Sequence, residues 1–248
     1  MTASLETLVV AAYIFADQVG IPRPGPEGKI TDAELVALAV AQAAMIASVQ
    51  LRVSELIASS DLRIADGTLI GVANYAGCAS RSEFAGSAAY GYCAAKSQFV
   101  WGMRLVLVTD PCGVPVGYTL VAANEKEYEP VRELTTAHAG CTLIADKGLW
   151  GRAYAETLAL QDVVIVTPER VRAADNLERE KRLAGLRLVI ESTISNLKCQ
   201  MRLEQHLAKT PAGLVQRIVQ RLLALTIGML LNTLTRRPPR ALVAYDGR

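Results

Sequence analysis

Apolar residues fall in two rhythms along this chain, one helical and one extended, and the change between them comes near residue 60. Before it, the apolar run Leu8–Ala16 predicts a helix from about Leu5 to Gln18, broken by Ile21-Pro22-Arg23-Pro24-Gly25-Pro26, whose prolines cannot continue it. Thr31-Asp32-Ala33-Glu34 fits a capping box opening a second helix, and Leu35–Ala41 is apolar on every side, which predicts burial between partners. Two helices around a turn are consistent with a packing hairpin and with a DNA-reading helix-turn-helix.

After residue 60 the pattern becomes extended. Leu62-Arg63-Ile64-Ala65-Asp66 predicts a short strand ending in a carboxylate. A polar, glycine-bearing loop is expected around Tyr75 to Tyr92. Trp101–Val108 and Val114–Val121 follow as strands joined by Asp110-Pro111-Cys112-Gly113, which has turn chemistry. A helix from about Glu127 to His138 precedes Thr142-Leu143-Ile144-Ala145-Asp146, a buried strand delivering a second aspartate. A helix from about Arg152 to Leu160 and the run Val163–Val166 complete the alternation. Meandering strands followed by alternating strand and helix describe an α/β fold, a mixed sheet with helices on its faces.

The chain has 248 residues, enough for one main domain with a helical preface, here residues 60–248 after residues 1–59. Its net charge of +2 makes no whole-chain case for a polyanion partner, so any basic surface must be local. The five cysteines are odd in number and form no Cys-x-x-Cys pair, which predicts reduced thiols in a cytosolic protein. The run Leu8–Ala16 follows Glu6 and no cation, unlike a signal peptide. Leu222–Leu231 is about half of the roughly 20 residues a bilayer span needs. No membrane segment is expected.

A third carboxylate lies in Arg187-Leu188-Val189-Ile190-Glu191-Ser192-Thr193-Ile194-Ser195-Asn196-Leu197-Lys198. At about 100° per residue, Arg187, Glu191 and Lys198 share one helix face. A solvated ion-pair row reads the same way. For Asp146 the alternative is a solvated carboxylate capping the helix that begins near Gly151. Yet Val189, Ile190 and Ile194 crowd around Glu191, and a carboxylate so close to an apolar face calls for an explanation. His138 and His206 have no metal-ligand spacing to each other and are expected at surface or packing positions.

Asp66, Asp146 in Ala-Asp-Lys-Gly, and the Arg187, Glu191, Lys198 spacing together resemble the signature of bacterial insertion-sequence transposases with an Asp-Asp-Glu site. The phrases Gly91-Tyr92-Cys93-Ala94, Phe99–Leu105, Leu203-Glu204-Gln205-His206 and Gln220–Thr226 are similar to one branch of them, in order and spacing, from about Ile64 to Asp246. The resemblance implies a ribonuclease-H-like fold with a mixed five-stranded sheet, in which two aspartates end neighbouring strands and the glutamate approaches from a helix. It implies a site for two magnesium or manganese ions about 3.5–4 Å apart, with Asp66 bridging and Asp146 and Glu191 each on one ion. It also implies double-stranded DNA as partner, at terminal inverted repeats and at target, a homo-oligomer on DNA, and a place in the bacterial cytoplasm. Arg187 and Lys198 would handle phosphate. Lys147, Arg170 and Arg172 are further DNA-binding candidates.

Three departures stand beside this. Gly67-Thr68-Leu69-Ile70 follows the first aspartate, where the family usually has Ser-Thr-Pro-Val or similar; Leu149 replaces a common tyrosine, with Trp150 next to it; and only Ser48–Asp61 separates the apolar helix from the first catalytic strand. That shortening of the N-terminal region puts the activity of this chain as a transposase in question, and two further readings stay open. One is a ribonuclease-H-like nuclease without strand transfer, and the other is a non-catalytic DNA-binding relic.

Overall fold

Ile64, Thr68 and Ile70 are buried on one face of a single strand, β1, which spans Leu62–Gly71. The computed structural model describes residues 61–73, 79–149, 151–168 and 177–242; the two helices expected before residue 60, with the capping box at Thr31, fall outside them. β1 does not stop at Asp66, as the sequence predicts. Gly67 to Gly71 continue pairing with Val106 to Gly102 of β3 (Gln98–Thr109), so Asp66 sits in mid-strand opposite Leu107. A central strand keeps its ladder past a charged residue when a long neighbour satisfies the backbone.

β3 carries different neighbours on its two edges. One edge pairs with β1, and the other is shared by two strands in succession: β2 (Ala89–Cys93) against residues 98–102, then β4 (Pro115–Ala122) against the remainder. β2 lies within the stretch expected to be loop, and it raises the count from five strands to six among the described residues. Its small residues read as loop composition, but Gly91 is there for space: a Cβ on it would run into the carbonyl of Ala123. On the far side of β1, β5 (Thr142–Ile144) and β6 (Val164–Val166) add in parallel. The result is a mixed sheet, antiparallel from β1 through β4 and parallel from β1 through β6, the arrangement that the family resemblance implies.

Helices cover both faces. α1 (Tyr128–Thr135) and α2 (Arg152–Ala159) pack Val131 and Leu158 against Ala65, Val106, Val108 and Leu143. α3 (Leu177–Cys199) contributes Ile190, Ile194 and Leu197 to the opposite core, and α4 (Pro211–Leu234) contributes Leu214, Ile218 and Leu222. These meet Ile64, Ile70, Leu105 and Leu107 of the sheet. The strict alternation of Leu105, Val106, Leu107 and Val108 between the two cores is why all four are fully buried. α4 is 24 residues long, with Thr210 accepting from the Gly213 N–H at its start. Its length and apolarity would suffice to cross a bilayer, more than the short segment Leu222–Leu231 led one to expect. Leu214, Ile218, Leu222, Leu225 and Met229 bury one face of it in the core, while Val215, Leu231 and Leu234 are exposed.

The β3–β4 turn anchors α3. Asp110 Oδ1 accepts from the N–H groups of Cys112 and Val114, closing the β3–β4 turn with Gly113 at φ 89°. The Thr193 hydroxyl of α3 then donates to the Gly113 carbonyl at 2.9 Å. His206 is a packing residue: its Nδ1 accepts from the Ala208 N–H, which leaves Nε2 to donate to the Gly71 carbonyl at 3.0 Å. Among the described residues Cys93, Cys112, Cys141 and Cys199 are free thiols.

Candidate active site

The parallel register aligns the two aspartates. Leu62, Arg63 and Ile64 pair with Thr142, Leu143 and Ile144, so Asp66 and Asp146 each stand two residues beyond the last pair. β5 ends there and the chain bends into a single turn at Lys147–Leu149, with the Leu149 N–H donating to the Asp146 carbonyl. β1 runs on, and the space that opens beside it is a cleft of about 600 Å³. Glu191 enters this cleft from α3, next to the buried Ile190 and one turn from the buried Ile194. All three predicted carboxylates therefore line one cleft, one from β1, one from just past the end of β5 and one from a helix. Asp66 reaches it from mid-strand and not from a strand end.

Arg187 organises two of them. Its Nη2 lies 3.1 Å from Asp146 Oδ1 and 3.8 Å from Glu191 Oε1, one helical turn away. Asp66 is partly buried and accepts the Gly67 N–H at 2.8 Å. Burial, with the charges of Glu127 and Asp146, outweighs that bond and the Arg187 charge and pushes the Asp66 carboxyl up to about 6.

Glu127 is the residue that sequence reasoning missed. It precedes α1, lines the same cleft and pairs with Arg104, which also donates to the Ala123 carbonyl at 3.1 Å. A Cβ at residue 67 would run into the Glu127 carboxylate. Gly67, the departure from the usual residue after the first aspartate, thus makes room for a fourth carboxylate. That glycine was the only signal the sequence offered. A second departure, Leu149, is buried and fills the core itself, and Trp150 lies outside the described residues.

Of the predicted cations, Lys198 lines the cleft and lies 3.6 Å from Glu204 Oε1, while Lys96 binds Glu204 Oε2 at 2.8 Å. Against the upward pull of burial, Lys96 and Lys198 hold the Glu204 carboxyl below its ordinary range. Lys147 is exposed on the turn after Asp146. Arg170 and Arg172 lie outside the described residues.

The donor set suits a hard divalent cation. Asp66, Asp146 and Glu191 offer carboxylate oxygens only, and the repulsion felt by Asp66 is the condition a bound cation would relieve. Among the described residues, though, no three His, Cys, Asp or Glu side chains are gathered within reach of one ion. Arg187 stands between two of the carboxylates.

Two solved structures resemble the chain weakly. "Mos1 transposase paired-end complex with left transposon end" is 12% identical over 76% of this chain and 68% of that one, with a TM-score of 0.28. "Crystal structure of the Mos1 mariner paired end complex with Mn" is 11% identical over 79% and 74%, with a TM-score of 0.27. Scores this low carry no argument. No curated protein matches the chain. The family model described as "Transposase DDE domain", by contrast, matches residues 58–227, more than half of the 248 and spanning both aspartates and the glutamate helix. By that match the chain belongs to the DDE transposase domain family.

Proposed function

We propose that this chain is a DNA transposase of an insertion sequence, cleaving strands and joining 3′-hydroxyls to target DNA at the cleft between β1, β5 and α3. The observation that carries this reading is the meeting of Asp66, Asp146 and Glu191, from three separate elements, on one cleft with Arg187 and Lys198 beside them. Asp66, the most enclosed of the three, is the candidate bridging ligand, with Asp146 and Glu191 as ligands to one ion each. Magnesium or manganese held there would activate a nucleophilic oxygen and stabilise the leaving one.

The chain's own residues have distinct tasks in this reading. Lys198, and Arg187 once released from the carboxylates, neutralise phosphate and hold the backbone in line for attack. Lys147, Arg170 and Arg172 extend that contact. The buried neighbours of Glu191 and the Thr193 bond to Gly113 hold the helix carboxylate at a fixed height over the sheet. The partner is double-stranded DNA at inverted-repeat ends and target, engaged by more than one copy of the chain, in a bacterial cytoplasm.

The test is manganese-dependent cleavage of end-bearing DNA, with Asp146→Asn alongside. The near-isosteric change leaves the fold intact and should abolish cleavage; retained cleavage would sink the assignment. Arg187's place between the carboxylates favours one competing reading, a DNA-binding relic. In that case the wild-type chain binds DNA, and neither binding of manganese nor cleavage is seen. Cleavage without joining of ends would mark a nuclease.

A further inference from the structure

Aromatic residues make up 5% of the chain, yet four of them face one another across the short β2–β3 ladder. Tyr90 pairs with Trp101 and Tyr92 with Phe99, and residues directly opposite in an antiparallel ladder project to the same side. The row runs from the core outwards. Trp101 is buried, whereas Tyr90 is 48%, Tyr92 56% and Phe99 70% exposed. Tyr92 and Phe99 meet edge to face, their ring centroids 5.4 Å apart, so each steadies the other in a position open to solvent.

This aromatic row is continuous with the carboxylate cleft. Tyr92 and Cys93 line that cleft along with Asp66 and Lys198, and Cys93 also lines an adjoining cavity of about 420 Å³ with Tyr90, Phe99 and Lys96. Two lysines stand at the junction, Lys96 on the adjoining cavity and Lys198 on the cleft, both against the carboxylate of Glu204. Rings at the surface beside lysine side chains are the physical requirements of a single-stranded nucleic acid platform: a cation for the backbone and π faces for bases.

We propose that Tyr90, Tyr92 and Phe99 stack on unpaired bases of the DNA end whose backbone lies in the carboxylate cleft. This deepens the transposase reading and rests on it. A duplex keeps its bases stacked on each other, so the platform selects a splayed or frayed end over a fully paired one. It thereby separates the strand to be cut from its complement.

The experiment uses the full chain in EDTA, where no cleavage proceeds, and two oligonucleotide duplexes of one sequence. One is blunt; the other has a splayed end carrying 2-aminopurine. The wild-type chain should bind the splayed duplex about tenfold more tightly, the size of one stacked base, and quench the 2-aminopurine fluorescence. The Tyr92→Leu, Phe99→Leu double variant should lose both effects and keep its blunt-duplex affinity. Tyr92→Phe with Phe99→Trp, which retains the rings, should keep both. Equal wild-type affinity for the two duplexes overturns the platform, as does a preference that survives in the leucine variant. A leucine variant that changes only its sedimentation mass also overturns it and marks the face as a contact between copies. Loss of the platform with salt-dependent blunt-duplex binding and Asp146-dependent cleavage intact leaves the transposase reading standing. Failure to bind either duplex removes both.

Discussion

Arg187 Nη2 lies 3.1 Å from Asp146 Oδ1 and reaches Glu191 from the same atom, so a guanidinium stands where two carboxylates would otherwise face each other. In the proposed site a divalent cation competes with this group for the same oxygens. Arg187→Gln removes the competitor and one positive charge. Manganese should then bind more tightly in the absence of DNA by about 1 kcal/mol, a few-fold in affinity, since these side chains are partly exposed and screened. DNA affinity should fall. Calorimetry with manganese and anisotropy with labelled duplex read the two effects separately, and weaker manganese binding in the variant would contradict the competition.

Asp66 gives the fold a pH dependence of definite sign. Its carboxyl is raised from 3.8 to about 6, first by burial and then by Glu127 and Asp146, so the folded state holds the proton more tightly than the unfolded chain does. The resulting stability is fully present below the unfolded value and is lost as pH rises through about 6. The loss amounts to about 2–3 kcal/mol. Urea unfolding from about pH 4 to about pH 7 should show the decline in the wild type and its absence in Asp66→Asn. Parallel curves for the two proteins would show that Asp66 is not the group responsible.

Glu204 restrains two lysines at the cleft, Lys96 at 2.8 Å and Lys198 at 3.6 Å. Glu204→Gln frees both for phosphate. DNA binding should tighten at low salt, and the slope of log affinity against log salt should steepen by about one, the share of one additional phosphate contact. An unchanged slope in anisotropy titrations would place both lysines off the DNA.

Gly102 lies where β3 changes partners, opposite both Gly71 and Ala89. A Cβ there would collide with the Ile70 carbonyl, which is backbone and cannot rotate away. Gly102→Ala should cost about 2–3 kcal/mol in urea unfolding. Gly148→Ala, where a Cβ meets nothing within 4 Å, is the control and should stay within about 0.5 kcal/mol. Equal effects would mean that the β1–β3 approach is looser than described.

The order of residues alone was enough to locate most local elements and to pick out the three cleft carboxylates. Strand and helix periods are set by which neighbours along the chain are apolar, so Val163–Val166, the Asp110–Gly113 turn and the α3 face of Arg187, Glu191 and Lys198 were legible without a partner in view. The common motif order carried Asp66, Asp146 and Glu191 to one family. The mid-strand position of Asp66 was not legible, because the length of β1 is set by its pairing with β3, a strand remote in sequence. β2 was hidden for the same reason: Ala89–Cys93 is a strand because the first rungs of β3 need a partner and Gly91 fits against Ala123. Glu127 has no spacing relation to the other carboxylates, and it meets them in the folded cleft with its carboxylate against Gly67. Periodicity is a property of neighbours in sequence, whereas pairing, close approach and charge repulsion are properties of neighbours in space.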